Sequence, residues 1–147
     1  MNILGLCGTP RKGGNSEIFL DYALKPFQKE GWSVRRILLS EVNVKGCTGC
    51  ETCFKGANCP VEDDMRRIYD ALEWCDAMIV SSPVYTRNVT SQLMAVFDRT
   101  PASRWQKVLR GKVGGAIAVG RGRGQAISVL TIYNWMLSDG IICVPVN

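Results

Sequence analysis

The chain of 147 residues contains no histidine. That absence removes the commonest general base, the Ser–His and Cys–His nucleophile pairs, and every imidazole ligand to a metal. Any metal here must be held mostly by sulfur. Long apolar runs are also missing, and none reaches the roughly 20 residues of a membrane-spanning helix. The opening MNILGLCGTPRKGG has a brief apolar run with no basic segment before it. It does not read as a signal peptide, so the cytoplasm is the expected compartment and a membrane is not an expected partner. Neither the dinucleotide pattern GxGxxG nor the nucleotide-triphosphate pattern GxxxxGK[ST] occurs, and there are no repeats or low-complexity segments. Seven cysteines is an odd number in a chain without an export signal, which argues against a disulfide framework.

What remains is an ordinary globular balance, 46% hydrophobic and 21% charged, suited to one domain over residues 1–147. The formal charge is +5, but the basic residues are scattered and the densest group, GRGRG at 120–124, is short. This argues against a nucleic-acid face and points to phosphate on a small cofactor, or to an acidic protein partner.

Apolar strands alternate with helical patterns along the chain. Strands are expected at Asn2–Cys7, Trp32–Leu39, 76–84, 112–120 and 140–146. Helices are expected at about Ser16–Lys29, Asp63–Trp74, 91–100 and Gln125–Ser138, the first bent or cut short by Pro26. Met65, Ile68, Ala71 and Leu72 should form the inner side of the second helix. The alternation predicts a three-layer α/β fold: a doubly wound parallel five-stranded sheet of flavodoxin-like order 2-1-3-4-5. A fifth helix should follow the last strand, but the sequence stops at Asn147. The expectation is that another subunit covers that face, or that a C-terminal part is missing.

Three loops leave the carboxyl edge of such a sheet, where open α/β sheets bind ligands. The first is GTPRKGGNS, 8–16, which precedes a helix. Gly8, Gly13 and Gly14 permit close approach. Thr9, Asn15 and Ser16 supply short polar side chains, and Arg11 and Lys12 supply charge. With helix amides and dipole behind it, this loop suits a single terminal phosphate; the plainer alternative is a turn with a helix cap. The second loop, SSPVYTRNVT at 81–90, offers a rigid turn at Pro83, a flat ring at Tyr85 and polar groups at Thr86 and Asn88. The third, GRGRGQ at 120–125, is a glycine-rich strand end, or else a flexible turn. A flat ring with a phosphate tail that touches all three loops describes FMN.

The segment GCTGCETCFKGANCP, 46–60, carries Cys47, Cys50, Cys53 and Cys59. The spacing C-x2-C-x2-C-x5-C-P resembles the ferredoxin run C-x2-C-x2-C-x3-C-P, in which three closely spaced thiolates wrap one side of a cubane. The longer spacer, with Gly56, lets Cys59 return to the same [4Fe–4S] cluster. Zinc sites favour two CxxC knuckles separated by a longer loop, so zinc is the second reading and unligated thiols the third. Cys7, Cys75 and Cys143 are isolated and read as buried structural thiols. A one-electron centre beside a flavin would convert between one- and two-electron transfer.

Taken together, GTPRKGGNSE, CTGCETCFKGANC, SPVYTRNVTSQLMAVFDR and VGRGRGQ resemble the iron–sulfur flavoproteins. These form a branch of the NADPH-dependent FMN reductase-like proteins with the flavodoxin fold, and the resemblance runs from Met1 to about Val146. It implies FMN and a [4Fe–4S] cluster in each subunit of a homo-oligomer, a dimer or tetramer. It also implies electron transfer in an anaerobe, with ferredoxin as donor and oxygen or peroxide as a possible outlet. Matched by position, Thr9, Arg11, Gly14, Asn15 and Ser16 fall in the phosphate loop. Pro83, Val84, Tyr85, Thr86 and Asn88 fall around the ring, and Gly120, Gly122 and Gly124 in the third loop. Cys47, Cys50, Cys53 and Cys59 match the cluster ligands. The third loop is one residue shorter than the usual form, with Ala126 where an acidic residue is common. Two alternatives stand beside this reading: an NAD(P)H-dependent FMN or quinone reductase, and a zinc-stabilised binding module.

Overall fold

A computed structural model describes residues 1–100 and 107–145. Five parallel strands form one sheet in the order β2-β1-β3-β4-β5. They are β1 (Asn2–Cys7), β2 (Ser33–Leu38), β3 (Ala77–Pro83), β4 (Val113–Val119) and β5 (Ile142–Cys143). The helices given from end to end among the described residues are α1 (Asn15–Lys29), α2 (Met65–Trp74), α3 (Ser91–Asp98) and α4 (Gln125–Ser138). This is the expected three-layer, flavodoxin-like arrangement. The interior strand β1 is apolar along nearly its whole length and buried from Ile3 onward, as a strand covered on both faces must be.

Two cores lie on opposite sides of the sheet. One packs Leu4, Leu6, Met78 and Val80 against α2, α3 and α4, through Met65, Ile68, Ala71 and Leu72 as expected, and through Leu93, Val96, Ile132 and Met136. The other is smaller and packs Ile3, Cys7 and Leu38 against Leu20 and Leu24 of α1. The asymmetry leaves apolar surface on and around this side. Ile18, Phe19 and Tyr22 of α1 and Val113 of β4 are exposed.

Two local expectations need correction. Pro26 does not end α1, which continues to Lys29. Tyr22 and Pro26 are both exposed, so the carbonyl that loses its i+4 donor faces water and the interruption costs little. The last strand is shorter than 140–146: only Ile142–Cys143 pairs with β4, and Val146 lies outside the described residues. Among the described residues no helix is long and apolar enough to cross a membrane.

Parallel register aligns the carboxyl ends of the strands. Cys7 stands opposite Ser81 and Leu38, and Pro83 opposite Val119. The loops 8–14, 39–64, 84–90 and 120–124 therefore emerge along one edge.

Candidate functional site

The first loop is built around Thr9, which is buried. Its hydroxyl accepts from the Arg11 amide at 3.2 Å, forming a tight turn that sends the Arg11 side chain outward. Glu17 accepts from the Gly13 amide at 2.7 Å. Gly14 is the N-cap of α1, and no side chain caps that terminus. A fifteen-residue helix thus points its first amides and positive dipole end at the loop's concave side, the arrangement that holds an anion.

Buried hydroxyls lock this loop to its neighbours. Ser81 donates to the Ser16 carbonyl at 2.8 Å, and the Gly8 amide donates to the Ser81 carbonyl at 2.7 Å. Thr90 caps α3 by accepting from the Leu93 amide and donates to the Gly8 carbonyl at 2.6 Å. The phosphate loop and the loop after β3 are thereby one rigid unit.

A cleft of about 430 Å³ lies where these loops meet. Thr9, Arg11, Gly14, Asn15 and Ser16 line it together with Pro83, Tyr85 and Gly120. The volume falls in the range of small-molecule and cofactor sites. Arg121, which the sequence pattern did not single out, adds a second guanidinium to the wall. Its position inside GRGRG, next to Gly120, was the available signal. The uncapped helix end, two arginines and the exposed Tyr85 ring fit the phosphate and flat ring of FMN.

The other candidate positions, Val84, Thr86, Asn88, Gly122 and Gly124, lie beside this cleft rather than in its lining. Tyr85 and Asn88 exchange backbone hydrogen bonds at 2.8 and 3.1 Å. Between them Thr86 and Arg87 have φ of 47° and 67°, the pattern of a tight two-residue hairpin turn. Asn88 turns its amide oxygen inward, accepting from the Val89 amide and the Thr131 hydroxyl, each at 2.8 Å. The Val84 amide donates to the Val119 carbonyl at 2.9 Å. Gln125 donates to the Gly120 carbonyl at 2.8 Å and closes the third loop. Gly124 lies against the Arg87 backbone, whereas Gly122 faces open space.

The cysteine segment emerges from the same edge. It contains one 3-10 turn, Thr52–Lys55, bounded by Glu51 and Gly56 in left-handed conformations. Cys47, Cys50, Cys53 and Cys59 all line a single cavity of about 150 Å³. Among the described residues no three Cys, Asp, Glu or His side chains approach closely enough to hold one metal ion. Four thiols around a cavity, rather than at a point, suit a multi-iron cluster better than a tetrahedral zinc with bonds of about 2.3 Å.

One loop thiol, Cys50, differs chemically from the three thiols elsewhere. The Thr52 hydroxyl donates to Cys50 at 3.4 Å and, with the Thr52 amide, holds that thiol below the usual range. The Gly49 amide donates to Cys47 at 3.4 Å. Burial pushes Cys7 up to about 11 and also raises Cys75 and Cys143. Those three remain thiols at neutral pH and are poor ligands. Cys7 and Cys75 are buried, as expected; Cys143 is only partly so.

Sequence reasoning missed the group that holds this loop. Arg99 ends α3 and reaches Asp63, Val61, Lys45 and the Cys59 sulfur. Burial works against ionisation of Asp63, but its bond to Arg99 and the Lys45 and Met65 amides outweigh that and hold the carboxyl below its usual range. Only the arginine at the end of SQLMAVFDR hinted at it.

A family model described as NADPH-dependent FMN reductase matches residues 1–142. The chain is 37% identical over 150 aligned positions to an iron–sulfur flavoprotein of Methanosarcina thermophila, covering 100% of this chain and 78% of that protein. It is 38% identical over 137 positions to an iron–sulfur flavoprotein of Archaeoglobus fulgidus, covering 93% of this chain and 62% of that one. Its backbone also superposes on a flavodoxin from the domain Archaea with a TM-score of 0.68 at 14% identity, covering 99% of this chain and 80% of that one, a likeness of fold alone. With matches of this extent, the chain belongs to the NADPH-dependent FMN reductase family, within its iron–sulfur flavoproteins, and is a flavin-dependent oxidoreductase.

Proposed function

We propose that the protein is an electron-transfer flavoprotein that holds FMN in the three-loop cleft and a [4Fe–4S] cluster on Cys47, Cys50, Cys53 and Cys59. Electrons come from a one-electron donor such as ferredoxin and leave to oxygen, peroxide or another acceptor. The observation that carries this reading is the convergence of all four loop thiols on one cavity, in a loop rooted at the same sheet edge as the cleft. When bound, a flavin exchanges one or two electrons and a cluster exchanges one. The chain's own residues supply the sites. The α1 amides and Arg11 hold the phosphate, the loop around Tyr85 and Gly120 seats the ring, and Thr52 and Gly49 donate to ligand sulfurs. No acid–base residue is required, in keeping with the lack of histidine.

The protein works as a dimer or tetramer in the cytoplasm. Support comes from the exposed Phe19 and Tyr22 on α1 and from Phe54 on the cysteine loop, 62% exposed, which a second subunit would cover. The alternative, direct oxidation of NAD(P)H, draws on the family's description.

The test is the visible spectrum of anaerobically purified protein, with flavin, iron and acid-labile sulfide assayed together. Rapid mixing with reduced ferredoxin and, separately, with NADPH then follows. The expected result is FMN plus about four iron and four sulfide per chain, with reduction by ferredoxin faster than by NADPH. A colourless protein, FAD as the main flavin, or faster NADPH oxidation refutes the corresponding part.

A further inference from the structure

Arg99 is 3% exposed and its side chain is almost wholly enclosed. Burying a guanidinium is costly unless its charge and donors are met. Asp63, equally buried, meets the charge. The Nη donors that Asp63 does not use are spent on one object. Nη1 donates to the Lys45 carbonyl at 3.1 Å and Nη2 to the Val61 carbonyl at 3.3 Å, so a single side chain ties together the two ends of the cysteine loop. Nη2 also donates to the Cys59 sulfur at 3.5 Å. The guanidinium forms part of the wall of the thiol cavity, and its Nε is buried with no acceptor among the described residues. The Tyr69 hydroxyl, donating to the Arg99 carbonyl at 2.7 Å, anchors the backbone behind it.

We propose that Arg99 is a positioning residue for the cluster. It clamps both ends of the loop, and its hydrogen bond to Cys59 withdraws charge from that ligand and raises the cluster's reduction potential. This rests on the reading of the loop as a [4Fe–4S] site. Hydrogen bonds to ligand sulfurs are among the levers that set such potentials, and groups behind metal ligands commonly change metal affinity or activity tenfold or more. Lysine cannot replace the function. A point cation on a flexible stem cannot reach a carboxylate, two carbonyls and a sulfur at once.

The experiment compares the cluster-loaded parent with Arg99→Lys and with the double variant Asp63→Asn/Arg99→Met, which removes the buried pair together and strands no charge. Iron, sulfide and flavin are assayed, the potential is titrated by electron paramagnetic resonance, and iron–sulfur stretching frequencies are read by resonance Raman. A parent without iron refutes the cluster reading and leaves nothing for Arg99 to tune. With a loaded parent, both variants should disfavour reduction by about tenfold, equivalent to about 59 mV for one electron, with raised iron–thiolate frequencies. Loss of iron from both variants, with flavin retained, also supports the clamp. A loaded variant with the parent's potential and frequencies overturns the proposal. So does loss of flavin and fold in both, because the pair would then serve the core at large. An equal shift in Arg66→Ala, which removes a nearby exposed charge, overturns it too, because charge alone would then account for the effect.

Discussion

Gly124→Ala should destabilise the protein and weaken flavin binding, while Gly122→Ala should do neither. Gly124 caps α4 with φ of 105°, and a Cβ there would lie 2.5 Å from the Arg87 Cα and 2.7 Å from its carbonyl oxygen. Those atoms belong to the hairpin that presents Tyr85, so they cannot swing aside as a side-chain tip would. Holding alanine at this φ costs about 1–3 kcal/mol. Forcing two backbone segments apart adds a further 1–3 kcal/mol or so. A total loss of about 2–6 kcal/mol lowers the melting temperature by roughly 5–25 °C for a chain of this size. Gly122 has no heavy atom within 4 Å of a built Cβ, so its substitution should stay within about 0.5 kcal/mol. Melting is followed by circular dichroism on flavin-free protein, since bound flavin would mask the change. Affinity is read from quenching of flavin fluorescence, and separation of the two ring loops should weaken it about tenfold, or 1.4 kcal/mol. Equal melting temperatures for the two variants would refute the idea that the third loop is held by close packing of Gly124 on the hairpin.

Alanine at Cys47, Cys50, Cys53 or Cys59 should remove or degrade the iron centre and leave flavin content intact, whereas Cys75→Ala and Cys143→Ser should keep full iron; an iron assay beside flavin extraction decides it. Burial raises the Asp139 carboxyl to about 6, a hydrogen bond from Thr100 only partly offsetting it. The folded state therefore binds the proton more tightly than the unfolded chain. The associated stability is fully present below about pH 4 and is lost as pH rises through about 6. Asp139→Asn should accordingly stabilise the protein by up to about 3 kcal/mol at pH 7 and much less at pH 4, as measured by urea unfolding at the two pH values. At micromolar concentration the protein should sediment as a dimer or tetramer, and a monomer would mean that the exposed α1 face needs no cover.

Much of the architecture is set by local sequence alone. Short apolar runs that alternate with helical periodicity leave few options besides a parallel sheet with two covered faces, and β1 and α4 lie at the residues the pattern marks. Cysteine spacing is equally local, because nearby thiols stay near one another in any compact fold. The departures arise where distant parts of the chain decide. Pro26 stays helical because its turn faces water, which depends on how α1 docks. Asn88 reads on sequence as a polar cofactor contact, and only the fold shows that its amide oxygen accepts from Thr131, 43 residues away. In GRGRG the three glycines are alike on paper, and only the hairpin packed against Gly124 makes that one indispensable. Arg99 stands 40 residues from Cys59 with no spacing that links them. A buried cation is tolerated only where carboxylate, carbonyl and sulfur converge on it, and it is the tertiary fold that brings those groups together.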